Sequence, residues 1–211
     1  MKKLLVLFLL ATSTIFAQDN EANKLLNEVS TKAKSYNNIS IAFKYVLENT
    51  EENIKQETKG DVVMEGDKYR LNILGITRIY DGQNIYSISP EDEEVTVSKG
   101  SDQDESTITP SKMLTFYKEG FTFKMDIVQD VSGRKIQYVK LSPMDSNSEI
   151  KYVLLGIDTK TKHIYRLIEV GKNGTKTTLT VNSFKTNETL SKSLFTFDKN
   201  KFKDYYINKL D

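Results

Sequence analysis

The chain has 211 residues, a formal net charge of +1 and no cysteine. This length suits one large domain or two small ones, and a balanced charge is not typical of a protein that binds nucleic acid. The lack of cysteine excludes thiol catalysis and cysteine-ligated metals, while a chain of this length can bury a sufficient core without disulfides.

The first 17 residues have the pattern of a secretory signal peptide. Lys2 and Lys3 precede the apolar run Leu4 to Leu10, and small residues lead to a predicted cleavage between Ala17 and Gln18. A membrane anchor is less favoured, because a bilayer span needs roughly 20 apolar residues. We therefore expect residues 18–211 to form a single exported, soluble domain.

A helix is predicted over residues 20–36, followed by a change to strand periodicity. The helix has one apolar stripe, formed by Ala22, Leu25, Leu26, Val29, Ala33 and Tyr36. From Ile39 onward the apolar residues alternate, and the Asp81-Gly82 and Asn173-Gly174 turns predict tight hairpins. We expect about ten or eleven antiparallel strands, the last of them at Phe195 to Phe197.

One short helix is predicted inside the strand-rich region, after the polar segment 98–107. Thr109 can cap it, Pro110 suits its first position, and Gly120 ends it. Met113, Leu114, Phe116 and Tyr117 make this helix apolar nearly all round.

No constellation of residues predicts chemistry. His163 is the only histidine and has no assignable partners, and the acidic run Glu91 to Glu94 lacks the spacing of an EF-hand loop. Nucleotide-binding glycine loops are absent. We predict no enzyme, no catalytic residue, no metal site and no cofactor.

Aromatic and methionine side chains are the positive signal. The chain contains 11 Tyr, 10 Phe and 5 Met, which recur along the predicted strand faces. Two interpretations remain open from composition: these side chains fill an ordinary core, or some of them line a cavity that holds flexible hydrocarbon.

A series of weak motifs resembles the periplasmic outer-membrane lipoprotein carrier family, and their order over residues 19–205 is more specific than any one of them. The lysine- and tyrosine-rich composition is typical of a Bacteroidetes-type member. The matching segments are Ser40 to Phe43, Gly60 to Met64 with Lys68-Tyr69-Arg70, the Asp81-Gly82 to Pro90 hairpin, Thr109-Pro110, Leu141-Ser142-Pro143 and Phe195-Thr196-Phe197.

The resemblance implies a mainly β fold: a half-open, strongly curved antiparallel sheet with an N-terminal helix and a short helical lid. It implies a monomeric periplasmic carrier that takes acylated lipoproteins from an inner-membrane ABC transporter to an outer-membrane acceptor. Expected cavity residues are Phe43, Tyr45, Leu47, Val62, Met64, Tyr86, Ile88, Phe123, Met125, Leu155 and Ile157. Met113, Leu114 and Phe116 would face them from the lid.

The sequence departs from the family at the position of a lid-controlling arginine. Gly66 stands there, and Arg70 is the nearest candidate to replace it, with Arg78 as another. The segment after Phe197 also differs from the family's ending. Two alternatives stay open: an exported lipid-sensing module of the same fold, and a lipocalin-like binder of a small hydrophobic ligand.

Overall fold

The N-terminal helix is present in the computed structural model, which describes residues 20–100, 110 and 112–210. Helix α1 covers residues 20–34, and Ala22, Leu25, Leu26 and Val29 of the predicted stripe are buried. Glu28 forms an ion pair of 2.7 Å with Lys162. The predicted signal peptide and the predicted cap at Thr109 lie outside the described residues.

Twelve strands form one sheet. They are β1 (Ile39–Asn49), β2 (Ile54–Glu65), β3 (Lys68–Ile73), β4 (Ile76–Tyr80), β5 (Asn84–Ser89), β6 (Glu94–Lys99), β7 (Phe121–Val131), β8 (Arg134–Pro143), β9 (Ile150–Asp158), β10 (Ile164–Gly171), β11 (Lys176–Thr186) and β12 (Tyr206–Lys209). Their order is β12-β6-β5-β4-β3-β2-β1-β11-β10-β9-β8-β7. The sheet is therefore open rather than a closed barrel, and the predicted mainly β fold is confirmed.

Strand β2 begins earlier than the sequence indicated. The predicted strand starts at Gly60, but the observed one starts at Ile54 and includes the polar, mostly exposed residues 55–59. Lys44 on β1 forms an ion pair of 2.7 Å with Glu57 on β2. Hydrophilic residues thus extend this strand. They show no alternation of apolar and polar side chains, which is the pattern that predicts a strand.

The predicted short helix is two separate 3-10 turns. One covers Lys112–Leu114 and the other Phe116–Lys118. A bend follows at Gly120, whose φ of 78° fits the predicted helix stop. The segment is helical but has no full α-helical turn.

The C-terminal segment corrects the prediction for the last strand. Phe195 and Phe197 lie in turn and irregular structure, and a 3-10 turn follows at Lys199–Phe202. The last strand is β12, within the segment whose polar composition gave no strand signal. It pairs parallel to β6, with Tyr206 opposite Glu94 and Lys209 opposite Val97.

The chain divides into two compact units by its internal contacts, and the single domain expected over residues 18–211 stays a prediction. Unit 1 contains the described residues of 1–33, 47–55 and 117–178. Unit 2 contains the described residues of 34–46, 56–116 and 179–211. The candidate site residues are divided between the two units, and each unit is described separately below.

Candidate functional site

Four of the expected cavity residues lie on one face of the sheet in unit 1. The strand register pairs Phe123 with Leu141, Met125 with Val139, and Val139 with Leu155. Because paired residues share a face and side chains alternate along a strand, Phe123, Met125, Leu155 and Ile157 lie on the same side. We call this surface the Leu155 face; it also carries Val139, Leu141, Val153, Leu167 and Glu169.

The centre of the Leu155 face is closed in this structure. Leu155 and Ile157 have 0% of their surface exposed, whereas Phe123 and Met125 on the edge strand β7 are half-buried. Hydrocarbon could touch Phe123 and Met125 with small rearrangements. It could reach Leu155 and Ile157 only after the atoms that cover them move.

Glu169 is an acidic side chain on the Leu155 face. It pairs with Val153 in the register of β9 and β10, between Leu167 and Gly171. Within the described residues its carboxylate has no hydrogen bond or ion pair, and burial raises its pKa. A charge at this position is stabilised less than in water.

A second group of expected cavity residues shares a face in unit 2. Met64 pairs with Tyr69, Tyr69 with Tyr80, and Tyr80 with Ile85. Gly60 lies on the same side, and a Cβ there would be 2.5 Å from the ring of Phe43. We call this surface the Met64 face. Its buried residues are Phe43, Val62, Met64, Tyr69 and Ile85.

Tyr45 and Leu47 continue the alternation of β1 beyond Phe43. Both side chains are half-buried. Tyr45 belongs to unit 2 and Leu47 to unit 1. The sequence prediction for the face of β1 is therefore compatible with the strand pattern.

Tyr86 and Ile88 do not lie with Val62 and Met64, contrary to the expectation from the sequence. Tyr86 pairs with Ile79, and Ile79 pairs with Arg70, so all three are on the opposite side of the sheet. There Tyr86 stacks on Phe197 with ring centroids 4.6 Å apart. This surface, the Ile79 face, has a core of Ile79, Ile88 and Val95, against which the C-terminal residues Phe197, Phe202, Tyr205 and Ile207 pack.

The lid residues Met113, Leu114 and Phe116 are half-buried and lie in unit 2. The residue that follows them, Tyr117, belongs to unit 1 and is almost fully buried. Its hydroxyl donates a hydrogen bond of 3.2 Å to the carbonyl of Leu26 in α1, and burial raises its pKa. The sequence showed Tyr117 as part of an apolar helix, but nothing in it marked this contact.

Arg70, the proposed replacement for the family's lid arginine, points away from the Met64 face. It pairs with Val63 and Ile79 in the strand register, and no hydrogen bond or ion pair of its side chain is present within the described residues. Arg78 contacts Ser87 through its Nε at 3.3 Å. Gly66 forms the turn between β2 and β3 with a φ of 57°. The role of Arg70 stays a prediction.

A polar cleft of about 440 Å³ lies in unit 2. Its lining includes Glu65, Lys68, Asp81, Glu188, Lys192 and Phe195. Mixed charges of this kind suit a polar ligand better than an acyl chain. The cleft is therefore separate in character from the apolar faces.

The histidine and the acidic turn considered in the sequence analysis both have defined environments in the structure. His163 is half-buried near the β9–β10 turn, where burial and the charge of Lys32 lower its pKa. In the acidic turn, the Ser89 hydroxyl donates to Asp92 at 2.7 Å. Among the described residues, no group of His, Cys, Asp or Glu side chains could hold a metal ion.

Comparison with known proteins decides the family. The family model described as "Outer membrane lipoprotein carrier protein LolA" matches residues 34–198, which is most of the chain. The chain belongs to this lipoprotein carrier family. None of the curated proteins matches the chain.

Two solved structures, with TM-scores of 0.57 and 0.50, agree at the level of the fold. An uncharacterised conserved protein from Thermus thermophilus is similar with a TM-score of 0.57 at 10% identity, covering 90% of this chain and 99% of its own. LprF from Mycobacterium bovis has a TM-score of 0.50 at 10% identity, covering 82% and 96%. The LolA superfamily protein NE2245 from Nitrosomonas europaea has a TM-score of 0.42 at 10% identity, covering 84% and 98%.

Proposed function

We propose that this protein carries acylated lipoproteins through the periplasm, from an inner-membrane ABC transporter to an outer-membrane acceptor. Membership of the carrier family over residues 34–198 is the observation that supports this most. Export through the predicted signal peptide would bring the chain to that compartment. No helix among the described residues is long and apolar enough to cross a membrane.

The physical requirement for such a carrier is to shield hydrocarbon. Each buried methylene group contributes about 0.8 kcal/mol, so several acyl chains would not cross water unprotected. Flexible side chains such as Met125 can adapt to chains of different lengths. The Leu155 face and the Met64 face supply aliphatic, methionine and aromatic surface of this kind, and binding alone needs no catalytic residue.

The half-buried residues of β7 offer a direct test of lipid binding. We expect Met125→Glu to reduce the amount of a triacylated lipopeptide that co-elutes with the purified protein, because a carboxylate on the Leu155 face opposes hydrocarbon burial. Ile127→Glu is the matched control, since Ile127 is an exposed aliphatic residue in the irregular part of the same strand. Equal lipopeptide uptake by the two variants would contradict the proposed binding face.

The carrier role is tested in the cell. Depletion of the protein should cause lipoproteins to accumulate in the inner membrane, measured by separating the two membranes. Normal delivery of lipoproteins to the outer membrane after depletion, together with normal lipopeptide binding by the purified protein, would favour a lipid-sensing module of the same fold.

A further inference from the structure

The turn between β3 and β4 combines backbone strain with an exposed aliphatic side chain. Ile73 pairs with Ile76, which leaves Leu74 and Gly75 as a two-residue loop. Both loop residues have positive φ, 54° for Leu74 and 76° for Gly75, as in a type I′ turn. Asn-Gly is favoured in such turns, and a bulky residue with positive φ is unusual.

The side chains at this tip are left in solvent. Leu74 is 61% exposed and Ile76 is 39% exposed, and a Cβ at Gly75 would have no atom within 4 Å. The Leu74 side chain therefore makes few packing contacts that could offset the energetic cost of its positive φ. Strained backbone conformations cluster at functional positions, and exposed apolar side chains mark sites that interact with proteins or membranes. This turn is therefore a candidate interaction site.

A second exposed apolar side chain lies at the same end of the strands. Thr77 pairs near the end of β5, Ser89 at the end of β5 pairs with Glu94 at the start of β6, and Glu94 pairs with Tyr206 at the start of β12. Tyr206 therefore lies at the same end of the sheet as the Leu74-Gly75 loop. Tyr206 is 69% exposed. Three strand spacings separate β4 from β12, or about 14 Å, so the two apolar points are too far apart for one small pocket.

We propose that Leu74 and Ile76 insert into the zwitterionic surface of a lipid bilayer, with Tyr206 as a second contact at the interface. Tyrosine is enriched at membrane interfaces, whereas leucine is under-represented among the residues that anchor protein–protein interfaces. The exposed carboxylates of Glu91, Asp92 and Glu93 lie on the β5–β6 turn at this end of the sheet. They disfavour an anionic surface, so the lipid is zwitterionic. Membrane contact goes beyond the proposed carriage of cargo.

Leu74→Asn separates this role from a role in folding. Asparagine suits a positive φ, so the variant should fold at least as stably as the wild type. It should nevertheless bind phosphatidylcholine vesicles about ten-fold more weakly in flotation assays of cargo-free protein. Met144→Asn is the control, because Met144 is 69% exposed in unit 1 and should not affect vesicle binding.

A fluorescent variant tests insertion itself. The chain contains no tryptophan, so Leu74→Trp gives an emission spectrum from one residue. We expect a blue shift on adding phosphatidylcholine vesicles and quenching by brominated acyl chains, whereas Ile127→Trp should show neither. Three results would each overturn the proposal: wild-type protein that stays off vesicles, equal binding by wild type and Leu74→Asn, or binding that about 0.5 M salt abolishes.

Discussion

Tyr117, the residue after the lid, makes a polar contact with helix α1. Its buried hydroxyl donates to the carbonyl of Leu26, so Tyr117→Phe removes this buried hydrogen bond. We expect the free energy of unfolding to fall by about 1–2 kcal/mol, measured by urea denaturation. Tyr206→Phe is the control, because Tyr206 is exposed and should change stability by less than about 0.5 kcal/mol. Equal losses in the two variants would contradict a role for the buried bond.

Glu169 predicts a pH dependence with a definite sign. Burial raises its pKa above the ordinary 4.5, so the folded state binds the proton more tightly than the unfolded state. Its contribution to stability is fully present below about pH 4.5 and is lost as the pH rises through the folded-state pKa. We therefore expect Glu169→Gln to be more stable than the wild type at neutral pH, by less than about 1 kcal/mol because water still screens a half-buried carboxylate.

The test of Glu169 is a series of urea unfolding curves across pH. The stability difference between Glu169→Gln and wild type should disappear in acid, where the wild-type carboxyl is also neutral. Glu149→Gln serves as the control because Glu149 is exposed. A constant difference at every pH would show that the effect comes from packing rather than from the charge.

Two asparagines belong to a recognisable sequence motif, but the motif does not reveal their structural role. Asn38 and Asn187 begin glycosylation sequons, but here they connect the start of β1 to the end of β11. Asn38 exchanges two hydrogen bonds with the backbone of Glu188, at 2.9 and 3.0 Å. Asn187 accepts one of 2.7 Å from the Asn37 amide. These partners lie about 150 positions apart, so no local pattern could reveal them.

At the scale of elements, the C-terminal segment covers the Ile79 face through aromatic contacts. Phe197 stacks on Tyr86 and also on Phe202, at 4.6 and 5.4 Å between centroids. We expect Phe197→Ala to cost about 1.5–3 kcal/mol in unfolding free energy, measured by chemical denaturation, because Phe197 is half-buried. Leu210→Ala should cost less than about 0.5 kcal/mol, because Leu210 is exposed. A small loss for Phe197→Ala would mean that the segment is not part of the folded core.

Elements that are stabilised by contacts between neighbouring residues could be predicted from the sequence. Elements that depend on contacts between residues far apart in the chain could not. The Asp81-Gly82 hairpin forms as expected because the Asp81 carboxylate accepts hydrogen bonds from the amides of Gln83 and Asn84, both at 2.8 Å. Strand β12 was missed because its pairing with β6 is distant in the chain and parallel. The first half of β2 was missed because its residues are polar on both sides.

The faces of the candidate site depend on register, which is where the sequence prediction partly failed. Apolar residues stand at both Ile85 and Tyr86, so alternation could not decide which of them joins Met64. A shift of one residue reverses the face of a whole strand. Strands with clear alternation, such as β1 and the first part of β7, did not have this ambiguity.

For the whole molecule, the order of weak motifs was more informative than any residue. The family model covers residues 34–198 even though the similar structures reported above share only 10% identity with the chain. A fold of this kind depends on alternation and turns, which survive large changes in sequence. Specific contacts such as that of Tyr117 do not follow from such a pattern.

The closed Leu155 face predicts how the rate of lipid binding depends on lipid concentration. Because Leu155 and Ile157 are fully buried, an acyl chain can reach them only after an opening step. The observed rate of binding should therefore level off at high concentrations of a fluorescent acyl probe, at the rate of opening. If the opening step breaks the hydrogen bond from Tyr117 to Leu26, Tyr117→Phe should raise that plateau about five-fold. Tyr206→Phe should leave the plateau unchanged. A rate that rises in proportion to probe concentration over the whole range, in stopped-flow measurements, would contradict an opening step and would mean that the probe binds only the half-buried edge at Phe123 and Met125.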